Sequence, residues 1–310
     1  MLTRRAVLAG ALSVGVLRGQ VNFAVPAHAC DCHTHIFGDP AQFPLSPKRA
    51  YTPETASPQE MAALHRALHV ERVVIVTPSV YGTDNSATLY GMKARGRTAR
   101  GVAVIDEHTP EAELDAMGKA GVCGVRLNLA TAGVNDPAIA RQRFEAMAQR
   151  LKQRGWHVQI FTNLPVIAAI KDAVLASPVP VVFDHFGGAQ AALGVTQPGF
   201  ADLLALLRSG KAYVKVSGAY ITSSHEPDFA DAGPLAKSLI AANPDRVLWG
   251  TDWPHPDTRA LSRRAPLQVT PLRKIDDERL LNQFARWAPE PRIRQKILVE
   301  NPARLYGFNS

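Results

Sequence analysis

The sequence has few cysteines, and their number and spacing exclude two kinds of small stabilised domain. Only three occur in 310 residues, at Cys30, Cys32 and Cys123. An odd count at these spacings matches neither a disulfide framework nor a zinc knuckle. Cys30 and Cys32 lie two residues apart in one predicted strand, so they share a face but cannot easily bridge each other. We therefore expect buried structural thiols.

Long apolar runs are also absent. The run Ala6–Leu17 is too short to cross a bilayer, which takes about 20 residues. It follows the paired Arg4 and Arg5, a pattern typical of a twin-arginine secretory signal. We predict that residues 1–24 form this signal, with cleavage near Gly19, export to the periplasm and no stable membrane anchor after processing. The alternative is an amphipathic or disordered extension on a cytoplasmic protein.

Basic residues are in excess, but they lack the clustering that nucleic-acid binding requires. The net charge is +8, and only Arg263–Arg264 and Arg292/Arg294/Lys296 form small groups. Nucleic-acid proteins concentrate such charge in a stripe with aromatic residues between the cations. The sequence therefore argues against nucleic acid as a partner and favours an anionic small molecule.

Short apolar runs alternate along the chain with longer segments of helical periodicity. Runs such as Val73–Val76 are apolar without interruption, as strands covered on both faces are. The eight predicted strands are Ala29–Ile36, Arg72–Thr77, Gly101–Ile105, Gly124–Asn128, His157–Phe161, Pro180–His185, Ala212–Ser217 and Arg246–Thr251. The seven predicted helices between them are Pro58–Leu68, Asp84–Arg95, Pro110–Lys119, Ala138–Arg154, Leu164–Ala176, Gly199–Arg208 and Asp231–Ala242.

This alternation predicts an α/β fold, specifically a TIM (β/α)8 barrel. Eight strand–helix units in about 250 residues are typical of that barrel. An open, doubly wound sheet is the alternative, because a count of strands does not prove closure. Pro254–Pro291 is longer and polar with no predicted element, and Pro291–Tyr306 is predicted to be a closing helix. Residues 25–310 are predicted to form one domain.

Four residues at predicted strand ends are the candidate catalytic group. His33 and His35 end the first strand, His185 ends the sixth, and Asp252 follows the eighth. A single histidine is usually structural, and an aspartate after a strand is often only a helix cap. In a barrel, however, the carboxyl ends of all strands meet at one mouth, where catalytic groups lie. The coincidence favours a shared site.

The same residues raise the question of a metal. Two histidines on one strand plus a carboxylate can hold zinc with one position open to water, so His33, His35 and Asp252 are candidate ligands. Phe161 and Thr162, at the end of the fifth strand, offer no carboxylate or lysine to bridge a second ion. This argues against a binuclear site.

The motifs resemble those of the amidohydrolase superfamily. His33-x-His35 with Asp252 after the eighth strand is similar to the superfamily pattern of a metal-dependent-hydrolase-like barrel. Further segments resemble its lactonase branch, which includes 2-pyrone-4,6-dicarboxylate lactonase, 4-sulfomuconolactone hydrolase and galactarolactone isomerase. These segments are residues 31–38, 51–53, 82–85, 100–103, 124–126, 249–256 and 301–306.

The resemblance implies roles for the candidate residues. Asp252 would deprotonate water and return the proton to the leaving oxygen, while the three histidines polarise the lactone carbonyl. Arg126 would grip a substrate carboxylate with its fork of donors. Tyr51 and Ser79 would be further hydrogen-bond donors. Because the branch contains enzymes with and without zinc, we expect no required cofactor, with a single Zn²⁺ as the alternative.

Departures from the pattern limit the substrate. The dicarboxylate lactonase carries additional arginines after the fourth, sixth and seventh strands, where this sequence has Ala130–Ala132, Gly187–Gly188 and Gly218–Ile221. A singly charged or neutral lactone therefore fits better. The prediction is a lactonase. The alternatives are a lactone isomerase, a mononuclear-metal amidohydrolase or decarboxylase, and, less favoured, a non-catalytic periplasmic binding protein. The sequence predicts no oligomeric state.

Overall fold

A computed structural model describes residues 20–257 and 265–309 of the protein. Most of the predicted signal segment and the pair Arg263–Arg264 lie outside these residues. Gln20 and Asn22 exchange hydrogen bonds of 2.8 Å with Asn282 near the other end of the chain. Within the described ranges, no helix has the length and apolarity needed to cross a bilayer.

Eight parallel strands form one sheet in sequential order. The barrel strands, numbered first to eighth below, are Cys30–Thr34, Arg72–Val76, Ala99–Ala103, Val122–Asn128, His157–Phe161, Val181–Phe183, Ala212–Ser217 and Val247–Gly250. The last strand returns to the first, because the Asp252 amide donates to the His33 carbonyl and the His35 amide donates to the Trp253 carbonyl, both at 2.8 Å. These bonds close the barrel, so the predicted fold is confirmed and the open sheet is wrong.

The outer layer consists of helices, some of which begin with a side-chain cap. Ser57 and Glu60 form a reciprocal capping box at the start of the first helix, with Pro58 in its first turn. The main helices are Pro58–Ala67, Ser86–Arg95, Glu111–Lys119, Pro137–Leu151, Leu164–Ala169, Lys171–Leu175, Phe200–Arg208, Gly233–Ala242 and Asp277–Trp287. The predicted helix Leu164–Ala176 is thus two helices, interrupted at Ile170.

Three further predictions need correction. The third strand runs from Ala99 to Ala103, two residues earlier than predicted. The segment Pro254–Pro291 contains the unpredicted helix Asp277–Trp287, capped by Asp276. The closing helix is three consecutive pieces, Pro291–Gln295, a wider π-turn Lys296–Glu300, and Asn301–Tyr306.

The chain end covers the amino-terminal end of the barrel. Tyr306 and Phe308 pack with Cys30, Cys32 and apolar residues from the barrel strands. The guanidinium group of Arg100 lies 4.6 Å from the Phe308 ring centre. All three cysteines are free thiols; Cys30 and Cys32 are buried as predicted, whereas Cys123 is partly exposed. Because this end is filled with side chains, polar groups at the opposite, carboxyl-terminal end form the mouth of the barrel.

Candidate active site

The first strand carries two histidines to the mouth of the barrel, and its pairing with the second strand is irregular. Its register against the second strand shifts between Asp31 and Thr34, where two residues oppose one. This bulge breaks the simple alternation of side chains along the strand. His33 faces groups at the barrel mouth, whereas Asp31 contacts His65 of the first helix at 3.2 Å. The Asp31 carboxylate therefore contacts the first helix.

Asp31 joins the first strand to the eighth. One of its carboxylate oxygens accepts the His33 amide at 3.1 Å and the Thr251 amide at 3.0 Å. The other accepts the Thr251 hydroxyl at 2.6 Å and lies 3.2 Å from His65 Nε2. A buried carboxylate with four such partners holds both strand ends in place, which fixes the relative positions of His33 and Asp252.

The four predicted catalytic residues come together. Oδ1 of Asp252 lies 3.5 Å from Nε2 of His33, 3.5 Å from Nε2 of His35 and 3.9 Å from Nε2 of His185. All four side chains are buried. The structure therefore assembles one carboxylate surrounded by three imidazoles, contributed by the first, sixth and eighth strands.

Unusual backbone conformations bring these groups close together. His185 and Asp252 have φ values of 48° and 67°, in the left-handed region that most residues avoid. Gly218, which follows the seventh strand, also has a positive φ, and a Cβ there would lie 2.9 Å from His185 Nδ1 and 3.0 Å from Asp252 Oδ2. Only glycine leaves room for both groups at this point.

The second ring nitrogen of each histidine is occupied. Nδ1 of His35 donates to the Val76 carbonyl at 2.7 Å, which directs Nε2 towards Asp252. Nδ1 of His33 lies 3.2 Å from Asp184, and Nδ1 of His185 lies 3.0 Å from the Ser217 hydroxyl. Burial lowers the pKa of His33 and of His185, and Lys215 adds to the effect at His33. Both imidazoles are therefore neutral near pH 7.

Asp252 is held in its ionised form. Burial alone would raise the pKa of this carboxyl, but His185, a hydrogen bond from His35 and the nearby His33 bring it well below its ordinary value. Its second oxygen accepts a 2.6 Å hydrogen bond from the Tyr220 hydroxyl. Burial and the Asp252 charge raise the pKa of Tyr220 well above its usual range. Tyr220 thus acts as a neutral donor to an anionic carboxylate.

Below this group lies a polar network that was not predicted from the sequence. Asp184 accepts hydrogen bonds from Arg126 Nε and Gln159 Nε2, both at 3.0 Å. Lys215 donates to Gln159 at 2.6 Å and lies 3.3 Å from His33 Nδ1. Asp184, Gln159 and Lys215 have no exposed surface. A lysine in the middle of an apolar barrel strand was the sequence signal that could have identified this network.

The three predicted substrate-binding residues lie around the same mouth. Arg126 is 5% exposed, and its guanidinium carbon lies 5.4 Å from the Phe161 ring centre. Burial raises the pKa of Tyr51, whose hydroxyl is close enough to Arg126 and Asp252 to feel both charges and which is hydrogen-bonded to Ser79. Arg126, Tyr51 and Ser79 therefore adjoin the catalytic group.

The helix missed from the sequence supports the site from behind. Its Asp277 lies 3.0 Å from Nε2 of His255, which follows the eighth strand. The His255 ring meets the Tyr220 ring edge-on, with ring centres 5.4 Å apart. Because Tyr220 donates to Asp252, this contact connects the helix to the central carboxylate.

The donor atoms suit a single cation. The ligand atoms of His33, His35 and Asp252 lie within 4.8 Å of one another, as do those of His33, Asp184 and His185. Nε2 of His33 is buried and has no hydrogen-bond partner among the described residues. Imidazole nitrogens and a carboxylate oxygen at this spacing are the kind of donor set that zinc takes in proteins.

Comparisons with known proteins agree with this architecture. Residues 30–308 match the sequence profile of a family described as amidohydrolase. A 2-pyrone-4,6-dicarboxylate hydrolase of Comamonas testosteroni is 35% identical over 92% of this chain and 92% of its own. A 4-sulfomuconolactone hydrolase of Rhizobium radiobacter is 34% identical over 93% and 92%, respectively. A crystal structure of a 2-pyrone-4,6-dicarboxylic acid hydrolase from Pseudomonas putida is 31% identical, with a TM-score of 0.75 over 91% of this chain and 98% of that one.

Proposed function

The chain belongs to the amidohydrolase family, and we propose that it hydrolyses a small lactone that carries a carboxylate. The observation that carries the proposal is the convergence of three imidazoles on one oxygen of Asp252, at 3.5, 3.5 and 3.9 Å. Ring opening of a lactone needs a base for water and positive character at the carbonyl oxygen. The lactone hydrolases among the relatives support this choice of substrate class.

In the proposed mechanism, Asp252 is the proton-transfer group. As an anion it takes a proton from water while the water oxygen attacks the lactone carbonyl carbon. When the ring C–O bond breaks, Asp252 gives the proton to the departing ring oxygen. Tyr220 holds the carboxylate in place through Oδ2, which leaves Oδ1 facing the imidazoles and the reacting water.

The other residues bind and polarise the substrate. We assign the three histidines to the carbonyl oxygen and the Arg126 guanidinium to the substrate carboxylate. The Nε of Arg126 is bound to Asp184, so its two terminal nitrogens form the fork that grips the carboxylate. Tyr51 and Ser79 donate hydrogen bonds at the rim. Because the catalytic side chains are buried, these interactions act in a medium that strengthens them.

A single Zn²⁺ would be held by His33, His35 and Asp252, with His185 adjacent. When bound, it would supply a Lewis acid at the carbonyl oxygen. The proton transfers assigned to Asp252 do not depend on zinc. Catalysis without a required metal therefore stays a prediction.

Zinc binding has a direct test. We expect added ZnCl2 to raise the melting temperature of the metal-stripped protein by about 5 °C when zinc is at a hundredfold excess over its Kd. The His35→Gln variant should show no such rise, because it loses the Nε2 that faces Asp252. An equal rise in both proteins would place the zinc elsewhere, and no rise in either would contradict the fit.

The proposed reaction is tested by its proton and its product. We expect the purified protein to release one proton for each mono-carboxylated lactone consumed, with a product heavier by one water. A product of unchanged mass that retains a ring would identify an isomerase instead. Thermal stabilisation by the lactone without turnover would identify a binding protein.

Export of the protein by the twin-arginine route stays a prediction.

A further inference from the structure

One buried carboxylate connects the substrate-binding arginine to the catalytic histidines. Oδ2 of Asp184 accepts Arg126 Nε at 3.0 Å, while Oδ1 lies 3.2 Å from His33 Nδ1. On the same side as His33, Lys215 lies 3.5 Å from Oδ1. Gln159 joins the two sides, because its amide nitrogen donates to Asp184 and its oxygen accepts from Lys215.

The charges of this site balance before any substrate arrives. Arg126 and Lys215 supply two positive charges, and Asp184 and Asp252 supply two negative ones. A carboxylate that reaches the fork of Arg126 therefore shares this cation with Asp184, and it enters a site without excess positive charge. The charges of Asp184 and Lys215 therefore determine how strongly the Arg126 guanidinium attracts a ligand carboxylate.

We propose that Asp184 and Lys215 are positioning residues that set the affinity of Arg126 for a carboxylate. Lys215 neutralises Asp184 from the His33 side, which weakens the hold of Asp184 on Arg126 and leaves the guanidinium able to bind an anion. Asp184 holds the side chains of Arg126 and His33 in fixed relative positions. Its negative charge also limits the binding of anions by the Arg126 guanidinium. Because the site holds no excess positive charge, each negative charge on a ligand is uncompensated, so a single carboxylate is favoured over two.

This inference rests on the proposed function for the choice of ligand, but it makes a separate prediction. An ordinary buried ion pair, when broken, weakens the protein and affects every substrate alike. The proposed arrangement instead predicts that substitutions of Asp184 and of Lys215 change the affinity for an anion in opposite directions. Removal of Lys215 lowers the affinity for an anion, whereas removal of the Asp184 charge raises it. A neutral ligand of the same shape feels neither change.

The test compares Asp184→Asn and Lys215→Met with the wild-type protein. A carboxylated lactone and its methyl ester are the paired substrates. For the carboxylated lactone we expect Lys215→Met to raise KM about tenfold and Asp184→Asn to lower it severalfold, as expected for the loss of one buried charge close to Arg126. Asp184→Asn also lowers kcat, because His33 loses a partner at Nδ1. For the methyl ester, KM should stay within about twofold in both variants.

Two further measurements keep the test decisive. The double variant Asp184→Asn/Lys215→Met removes one charge of each sign, so its melting temperature and its KM for the carboxylated lactone should return towards wild-type values.

Calorimetric binding of cyclopentanecarboxylate measures anion affinity without turnover. Opposite shifts of its Kd in the two single variants are therefore expected even if the lactone is not hydrolysed. Shifts of Kd in the same direction, or equal KM changes with the methyl ester, would overturn the inference and leave the proposed hydrolysis standing. Absence of turnover alongside opposite Kd shifts would overturn only the hydrolysis.

Discussion

Replacing Asp252 with asparagine is expected to lower kcat for lactone hydrolysis by about 10²–10⁴-fold, the usual contribution of a positioned general base. Asparagine keeps the shape of the side chain and can still accept from the Tyr220 hydroxyl. It cannot take the proton of water, nor return a proton to the ring oxygen. Because the proposal assigns the substrate carboxylate to Arg126 and not to Asp252, KM should change little, and the loss should appear in kcat. Initial rates of proton release measure both constants.

The control for this variant lies at the other end of the same strand. Asp245 precedes the eighth strand and pairs with Lys296 at 2.7 Å, away from the mouth. Asp245→Asn should retain turnover within about twofold, since a partly exposed ion pair contributes little. Circular dichroism and melting temperature establish that Asp252→Asn is folded. If folded Asp252→Asn hydrolysed lactone at the wild-type rate, the proton-transfer group would have to be another residue.

The candidate catalytic group was predictable because each member lies at the end of a strand that the sequence identifies clearly. His33, His35, His185 and Asp252 needed only the rule that strand ends meet at one mouth. Their contact through a single oxygen of Asp252 was not predictable, because it depends on left-handed backbone at His185 and Asp252 and on the bulge after Asp31. These are local departures from regular geometry, which periodicity does not encode.

The network beneath the site escaped prediction for a different reason. Asp184, Gln159 and Lys215 come from three strands, and each alone is an isolated polar residue in an apolar run. Their partnership depends on which strands are adjacent and on which residues point inward. A polar side chain inside a buried strand must find a partner there, so Lys215 was the residue that carried the signal.

The helix Asp277–Trp287 was missed because the polar composition of its segment was given more weight than its apolar periodicity. Its surroundings are polar, and this led to a prediction of no regular element. Yet the buried side chains Leu280, Leu281, Phe284 and Trp287 recur at helical spacing. The pattern was present in the sequence, and its weight was underestimated because charged residues surround it.

Replacing Arg126 with methionine is expected to lower kcat/KM for a carboxylated lactone by about 10²-fold, mainly through KM. Methionine keeps much of the length and packing of arginine against Phe161 but removes the fork of donors. A charge-assisted bidentate contact in a buried site is worth about 1.5–3 kcal/mol, which corresponds to this factor. The methyl ester of the same lactone should lose less than about threefold, because it presents no anion to the guanidinium. The ratio of the two kcat/KM values measures this contribution.

Arg141→Met is the matched control, since Arg141 lies on the outer helical layer and pairs with Asp172 at the surface. It should leave both substrates unaffected. Arg126→Met also leaves Asp184 with Gln159, Lys215 and His33 as its remaining partners, which preserves three of its four contacts. The variant should therefore fold, and its kcat for the methyl ester reports whether His33 has kept its position. Equal losses for the acid and the ester would mean that Arg126 maintains the structure of the site, and the substrate carboxylate would then have to bind to a different cation.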